Sequence, residues 1–339
     1  MDKRTGRLGR TIECPECHAE LRRSALPALG SEPAWIALED GNGRRAEKTP
    51  DAQDLRRAFA FGRENVTDWF PTTALGPDRE MFIRCALQLQ GISSVADLYT
   101  DRNLTALALL WRAIGEVENE RVRRGLAFAF TNTAWHGTRM RRCNARGGQR
   151  PLTGTLYIPQ LSSEANVLEV MRNKIQQLRR YYQSFEPKES LAPAIIAGSA
   201  THLDGVASSS VDYVFTDPPF GSNIFYADCN LIWESWLGRL TDSTNEAVVN
   251  RSLPEDEGGK SLQKYASLMA GSMAEIHRVL KPGGWATVVF HNTDAKVWQA
   301  IHDAALVAGF EFHEAASLDR QQQSHKGYKG RSGSEDVAH

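Results

Sequence analysis

A chain of 339 residues is long enough for two ordinary domains, or for one domain with large insertions. With 41% apolar and 24% charged residues its composition is globular, which excludes wholesale disorder and collagen-like repeats. Its 40 basic and 41 acidic residues nearly cancel, so only local clustering could draw it to nucleic acid or to a membrane surface. Five scattered cysteines, Cys14, Cys17, Cys85, Cys143 and Cys229, make no disulfide framework and point to a reducing compartment. No run approaches the roughly 18 apolar residues that a bilayer requires. The basic N-terminus, MDKRTGRLGR, has no apolar segment behind it. The sequence therefore predicts a cytoplasmic chain with no membrane partner.

Residues 1–50 mix Gly, Pro and Arg with a Cys pair and one short strand candidate, Ala34–Leu38. Cys14-Pro-Glu-Cys17-His18 is half a zinc knuckle. A closed zinc site needs four ligands, so Cys14 and Cys17 are candidate metal ligands within what otherwise reads as a degenerate ribbon. From Asp51 the pattern turns helical. The clearest helix begins at Thr100-Asp101, an N-cap signature, and carries Leu104, Leu107, Ala108, Trp111, Ile114 and Val117 at helical spacing. Residues 121–150 hold Arg121, Arg123, Arg124, Arg139, Arg141, Arg142, Arg146 and Arg150 without one acid. Such a stretch reads either as phosphate contact along DNA, with Arg139, Arg141 and Arg142 as candidates, or as a solvated helix face. A further helix is predicted from Ser163 to about Tyr182.

After Pro187 short apolar runs alternate with helix-sized amphipathic stretches, the pattern of a mostly parallel sheet with crossover helices. The predicted strands are Ala194–Ala197, Val211–Phe215, Trp285–Phe290 and Phe310–Ala315. The predicted helices cover Ile224–Leu237, Leu262–Leu280 and Ala295–Ala308.

The stretch Val211-Asp-Tyr-Val-Phe-Thr-Asp217-Pro218-Pro219-Phe220 carries the chemistry. In open α/β sheets ligands sit beyond the carboxyl ends of strands, and here an apolar strand runs straight into an acid, two prolines and an aromatic. The prolines lack N–H groups and hold the chain extended, leaving the Asp217 and Pro218 carbonyls free to accept. A carboxylate and a carbonyl together suit the two hydrogens of an exocyclic amine. Phe220 offers a face for a planar base, worth roughly 1–3 kcal/mol. The plainer alternative is a strand-ending turn with a capping Asp. His291 and Asn292 follow the next strand candidate and so face the same sheet edge, as substrate contacts or as satisfied loop residues. Tyr226 is the nearer stacking candidate; the pair Trp233 and Trp236 reads as core.

Thr216-Asp-Pro-Pro-Phe220 resembles the catalytic motif of amino-directed, S-adenosylmethionine-dependent DNA methyltransferases. The segments Trp69-Phe70-Pro71, Asp97–Leu104, Gly154–Pro159, Gly221–Leu237 and Phe290-His291-Asn292 are similar, in order, to the large bacterial and archaeal DNA methylases that carry a zinc-ribbon-like Cys pair. Ile196–Ala200 with Leu203 looks like the strand and loop preceding the catalytic motif, and Glu275–Gly284 like the helix and turn leading into the fifth strand. The resemblance implies a partial Rossmann-like class I methyltransferase sheet, α/β in class, with an N-terminal Cys-pair segment and a mainly helical insertion. It implies methyl transfer to adenine N6 or cytosine N4 of a flipped DNA base, S-adenosylmethionine as cofactor with Gly198, Ser199 and Ala200 beside it, zinc at the Cys pair, and a restriction–modification setting.

One element of that family is missing. The Gly-rich loop Asp-Pro-Phe-x-Gly-x-Gly, needed for close backbone approach to the cofactor, has no counterpart at Glu39–Gly43, Gly147-Gly148 or Gly327–Gly330. The expectation is a fragment or split subunit whose partners are DNA and a second polypeptide supplying that motif. The divisions read as 1–50 Cys-pair segment, 51–160 helical and Arg-rich, 161–325 catalytic half, and 326–339 polar tail. An RNA guanine-N2 methyltransferase and a non-catalytic DNA-binding remnant are the alternatives.

Overall fold

The computed structural model describes residues 11–14, 16–22, 30–39, 41–143, 150–185, 193–250 and 252–316. Arg146 and the predicted polar tail lie outside them. The chain divides into two units, Met1–Pro187 with Asp228–Thr241, and Lys188–Ala227 with Asp242–His339.

The first unit opens with two antiparallel hairpins, β1 (Thr11–Glu13) with β2 (Glu20–Arg22), and β3 (Ile36–Glu39) with β4 (Arg45–Lys48). The strand expected at Ala34–Leu38 thus starts two residues later, and the glycines at 41 and 43 lie in its hairpin turn, with Gly43 at φ +77°. Short helices α1 (Ala52–Ala58) and α2 (Glu80–Arg84) follow. Helix α3 (Asp101–Gly115) begins where its cap predicts, since the Thr100 hydroxyl accepts from the Asn103 N–H at 3.2 Å. Asn119 caps α4 (Glu120–His136), and Asn166 caps α5 (Val167–Ser184).

Helix α6 (Tyr226–Leu237) contributes its residues from Asp228 onward to this unit. Trp236, only 2% exposed, is ringed by Trp69, Tyr99, Trp111 and Phe130 with centroids 5.1–6.3 Å away. Its indole N–H donates to the Tyr99 hydroxyl at 3.2 Å, which satisfies the buried polar tip that each ring carries. Asp228, also buried, accepts from Arg79 at 3.1 Å and from the Met81 N–H at 2.9 Å, so its charge is both paired and hydrogen-bonded.

The second unit is an α/β assembly on one parallel strand pair, β5 (Val211–Thr216) and β6 (Leu280–Val288), flanked in sequence by α7 (Leu262–Val279) and α8 (Ala295–Ala308). Pairing jumps from Val211 opposite Leu280 to Tyr213 opposite Trp285, so Lys281-Pro-Gly-Gly284 bulges within β6 rather than turning ahead of it. Gly283, at φ +76°, takes the left-handed conformation there. One sheet face, with Val214, Ala286 and Val288, packs on Tyr265, Met269, Met273 and Ile276 of α7 and on Val297, Ile301 and Ala304 of α8. The other face presents Tyr213, Phe215 and Trp285, which are 53%, 65% and 57% exposed.

Two expected strands do not form. Residues 194–197 run as exposed irregular chain, with Ile195 95% exposed, and residues 310–315 also lack strand structure. A strand exists only with a hydrogen-bonding neighbour, and among the described residues this sheet has two strands. Helices mixed with small sheets are compatible with the α/β class, but among the described residues the multi-stranded Rossmann-like sheet does not appear.

Candidate functional site

The turn at Asp217 starts where β5 ends, with the Val289 N–H donating to the Thr216 carbonyl at 2.9 Å as the last tie to the sheet. Beyond it the backbone is clamped from two sides. The Tyr265 hydroxyl of α7 donates to the Pro219 carbonyl at 2.7 Å, and the Asn292 amide donates to the Phe220 carbonyl at 2.8 Å. Asn292 is itself fixed, because its side-chain oxygen accepts from the Asp294 N–H at 2.7 Å and its carbonyl accepts from the Trp298 indole at 2.9 Å. Gly221 closes the turn at φ +64°, and a Cβ there would lie 3.1 Å from Val297 and 3.2 Å from the Asn292 amide. Gly221 is thus required by both conformation and space.

This clamp sorts the acceptors. The Pro219 and Phe220 carbonyls are engaged, whereas Asp217 is exposed and, among the described residues, no donor pairs with its carboxylate or with the Pro218 carbonyl. Phe220 is half-buried, with its ring edge-to-face with Phe290 at 5.4 Å and His291 at 6.4 Å. It is therefore held firmly but offers only part of its surface. Burial pushes the Tyr265 phenol up from its ordinary value, and the nearby Tyr226 phenol pushes the same way. Tyr226 heads α6, where the Glu246 carboxylate accepts from the Tyr226 and Ala227 N–H groups at 2.6 and 3.1 Å. These are the orphan donors of a helix start, met by an anion. Lys260, buried, holds the Glu246 segment by donating to the carbonyls of Ser243 and of Glu246, the latter at 2.9 Å.

Phe220, His291 and Asn292 meet beyond the end of β5, beside Asp217 and Pro218, and Tyr226 lies near Tyr265, which holds the same turn. Asn292, read from sequence as a substrate contact or a satisfied loop residue, holds the turn through the Phe220 carbonyl. Tyr265, Glu246 and Lys260 escaped sequence reading; the only signal was a tyrosine on the apolar stripe of α7, whose hydroxyl needs a partner.

Gly198, Ser199 and Ala200 form an exposed tight turn, with the His202 N–H donating to the Ser199 carbonyl at 3.1 Å. The chain just beyond it is tied to α7 by Glu275, which accepts from the Leu203 N–H at 2.8 Å, and by Arg278, which donates to the Val206 carbonyl at 3.1 Å. Arg278 and the Leu203 N–H hold the Glu275 carboxyl at about 2. Glu275 stands ten residues beyond Tyr265 on α7, roughly 15 Å along the axis. The turn itself lies nearer the middle of α7, where Thr201 is within 3.3 Å of the position a Cβ on Gly271 would take.

Of the arginines, Arg139 is half-buried and donates to the Asp97 carbonyl at 3.3 Å. Burial lowers its pKa. Arg141 and Arg142 are half-buried on a segment bridged to residues 162 and 163. Burial, then the charges of Arg141, Lys174 and Arg150, push the His136 imidazole down. Lys174 of α5 therefore joins the basic region.

Cys14 and Cys17 sit in the β1–β2 hairpin. The Cys17 and Glu16 N–H groups, with the Cys17 thiol, lower the Cys14 pKa by hydrogen bonding. His18, at φ +58°, contacts Glu13 at 2.6 Å. Among the described residues no group of three or more His, Cys, Asp or Glu is arranged to hold a metal, and no helix is long and apolar enough to cross a membrane. Comparison with protein-family models, with curated proteins and with solved structures finds no match.

Proposed function

We propose that this chain is the amine-gripping part of a DNA amino-methyltransferase, acting on adenine N6 or cytosine N4. The observation that carries the reading is the sorted set of acceptors. In this turn the Pro219 and Phe220 carbonyls are occupied, and the exposed Asp217 carboxylate has no donor among the described residues. The Pro218 carbonyl, also without one, belongs to a buried residue that an incoming amine would have to reach. The base must leave the duplex to reach them. Phe220 and Tyr226 would flank it, and Asp217 would fix the direction of the nitrogen lone pair, so the contribution is mainly orientation. Arg141 and Arg142 are the candidate phosphate contacts.

The methyl donor of such a reaction is S-adenosylmethionine. The residues here do not make its site. Among the described residues no Gly-rich loop joins a strand to a helix: Gly41 and Gly43 follow a strand but lead into the second strand of a hairpin. No methyl-transfer step is therefore assigned to this chain alone. On the aromatic face of β5 and β6, His313 packs against Trp285 at 4.8 Å, while Tyr213, Phe215 and Trp285 stay more than half exposed. That face would suit a second polypeptide that brings the cofactor loop, since parallel strands normally have both faces covered. Cys14 and Cys17 would likewise supply two of the four ligands that a closed zinc site needs.

The test is reconstitution with a polypeptide encoded alongside that carries a Gly-rich motif, following tritiated methyl incorporation into DNA. Asp217→Ala is expected to abolish incorporation with unchanged circular dichroism; retained incorporation refutes the assignment. Calorimetric titration with S-adenosylmethionine separates a split enzyme, which binds it only with its partner, from a non-catalytic remnant, which never does.

A further inference from the structure

Helix α5 is packed along only part of its length. Val167 and Met171 are buried, with Val167 crowding Gly137 and the Met171 sulfur accepting from Thr133 at 3.5 Å, both at the end of α4. The same line continues at spacings of three and four through Ile175, Leu178, Tyr182 and Phe185. There it emerges into solvent: Tyr182 is 64% exposed, and Ile175 and Phe185 are exposed as well. Tyr181 stacks on Phe185 at 5.4 Å and widens the patch. Helices draw most of their stability from a buried apolar face, so this is a packing seam that outruns its partner.

The charge beside the seam narrows what can cover it. Val170–Phe185 contains Arg172, Lys174, Arg179 and Arg180 and no acid. By helical period Lys174 borders the seam on one side, and Arg172 and Arg179 border it on the other. Arg172 is answered by Glu169 at 2.8 Å, and Lys174 meets only the neutral Gln177, at 3.1 Å, among side-chain contacts of the described residues. A second copy would set like charges against one another along the seam. A phosphate backbone would meet the cations but leave Ile175, Leu178 and Tyr182 without a role.

We propose that the exposed half of α5 docks an amphipathic helix of another protein whose apolar stripe is flanked by carboxylates. This stands apart from the methyltransferase reading. The probes are two synthetic helical peptides sharing a leucine stripe at 4-3 spacing, one flanked by Glu and the other by Lys, titrated into the full chain by fluorescence anisotropy. The Glu peptide should bind at least tenfold more tightly. Lys174→Glu with Arg179→Glu should reverse the preference, and Tyr182→Ser with Phe185→Ser should weaken the Glu peptide tenfold or more while circular dichroism stays unchanged. Equal or absent binding of the two peptides overturns the proposal. So does a duplex DNA that binds, is lost on Lys174→Glu with Arg179→Glu, and has no Glu-peptide counterpart. A dimer in ultracentrifugation that Tyr182→Ser dissolves identifies a second copy and overturns it too.

Discussion

Replacing Asp97 by Asn removes the most heavily coordinated carboxylate of the first unit. Asp97 sits in the 3-10 turn Val95–Leu98, where its side chain accepts from the Ser93 and Ser94 N–H groups at 2.9 and 2.8 Å and from both serine hydroxyls at 3.0 Å. Arg63 pairs with its other oxygen, and the side chain is 16% exposed. Burial alone would raise the carboxyl pKa; Arg63 and the serine donors outweigh it and hold the group at about 2, against 3.8 ordinarily. A depression of about two units corresponds to roughly 2–3 kcal/mol of folding free energy. Because the folded value lies below the unfolded one, that stability is fully present above about pH 4 and is lost as pH falls toward 2. Asp97→Asn should therefore lose about 2 kcal/mol at pH 7, a fall of about 1 M in urea midpoint, and the gap to the parent protein should close between pH 4 and pH 2. A gap under ~0.5 kcal/mol at pH 7, at the level of an exposed ion pair, or one unchanged at pH 3, refutes the reasoning.

Other changes test the turn and its surroundings. Gly221→Ala should cost about 1–3 kcal/mol in chemical denaturation, from left-handed strain and the crowding of Val297 and Asn292; a neutral result would show the turn to be adaptable. Tyr265→Phe removes one donor from the Pro219 carbonyl, which keeps the Gly221 N–H at 3.0 Å, so a loss of about 1 kcal/mol with faster amide exchange at Gly221 is expected. Glu246→Ala should destabilise by about 1 kcal/mol through the start of α6, read by thermal unfolding. If duplex DNA binds, Arg141→Gln should lower the slope of log affinity against log salt by about 0.9, while Arg139→Gln should leave the slope alone and lower stability.

The helices were legible because their signals are local. Thr100 precedes an apolar stripe and caps its helix as read, and Ala295–Ala308 forms with its predicted bounds. The helix placed from Ser163 starts instead at Val167, capped by Asn166. The strands were legible only where a partner follows: Val211–Thr216 finds β6, whereas Ala194–Ala197 has the same apolar character and no neighbour to bond. At the candidate site Asp217-Pro-Pro-Phe220 could be read because its chemistry lies in four consecutive residues. Tyr265 could not, since 46 residues separate it from the carbonyl it holds. Arg139 and Arg141 look alike in sequence, yet only Arg139 has a side-chain bond to the Asp97 carbonyl, a partner 42 residues away.

The exposed side of the β5–β6 pair has a consequence for the life of the chain in a cell. Tyr213, Phe215 and Trp285 lie on an exposed sheet face beside strand edges that can template foreign pairing, which is the kind of surface that chaperones hold and proteases clear. The steady-state amount of this chain would then follow the supply of whatever shields that face, and made alone it would be short-lived or aggregate.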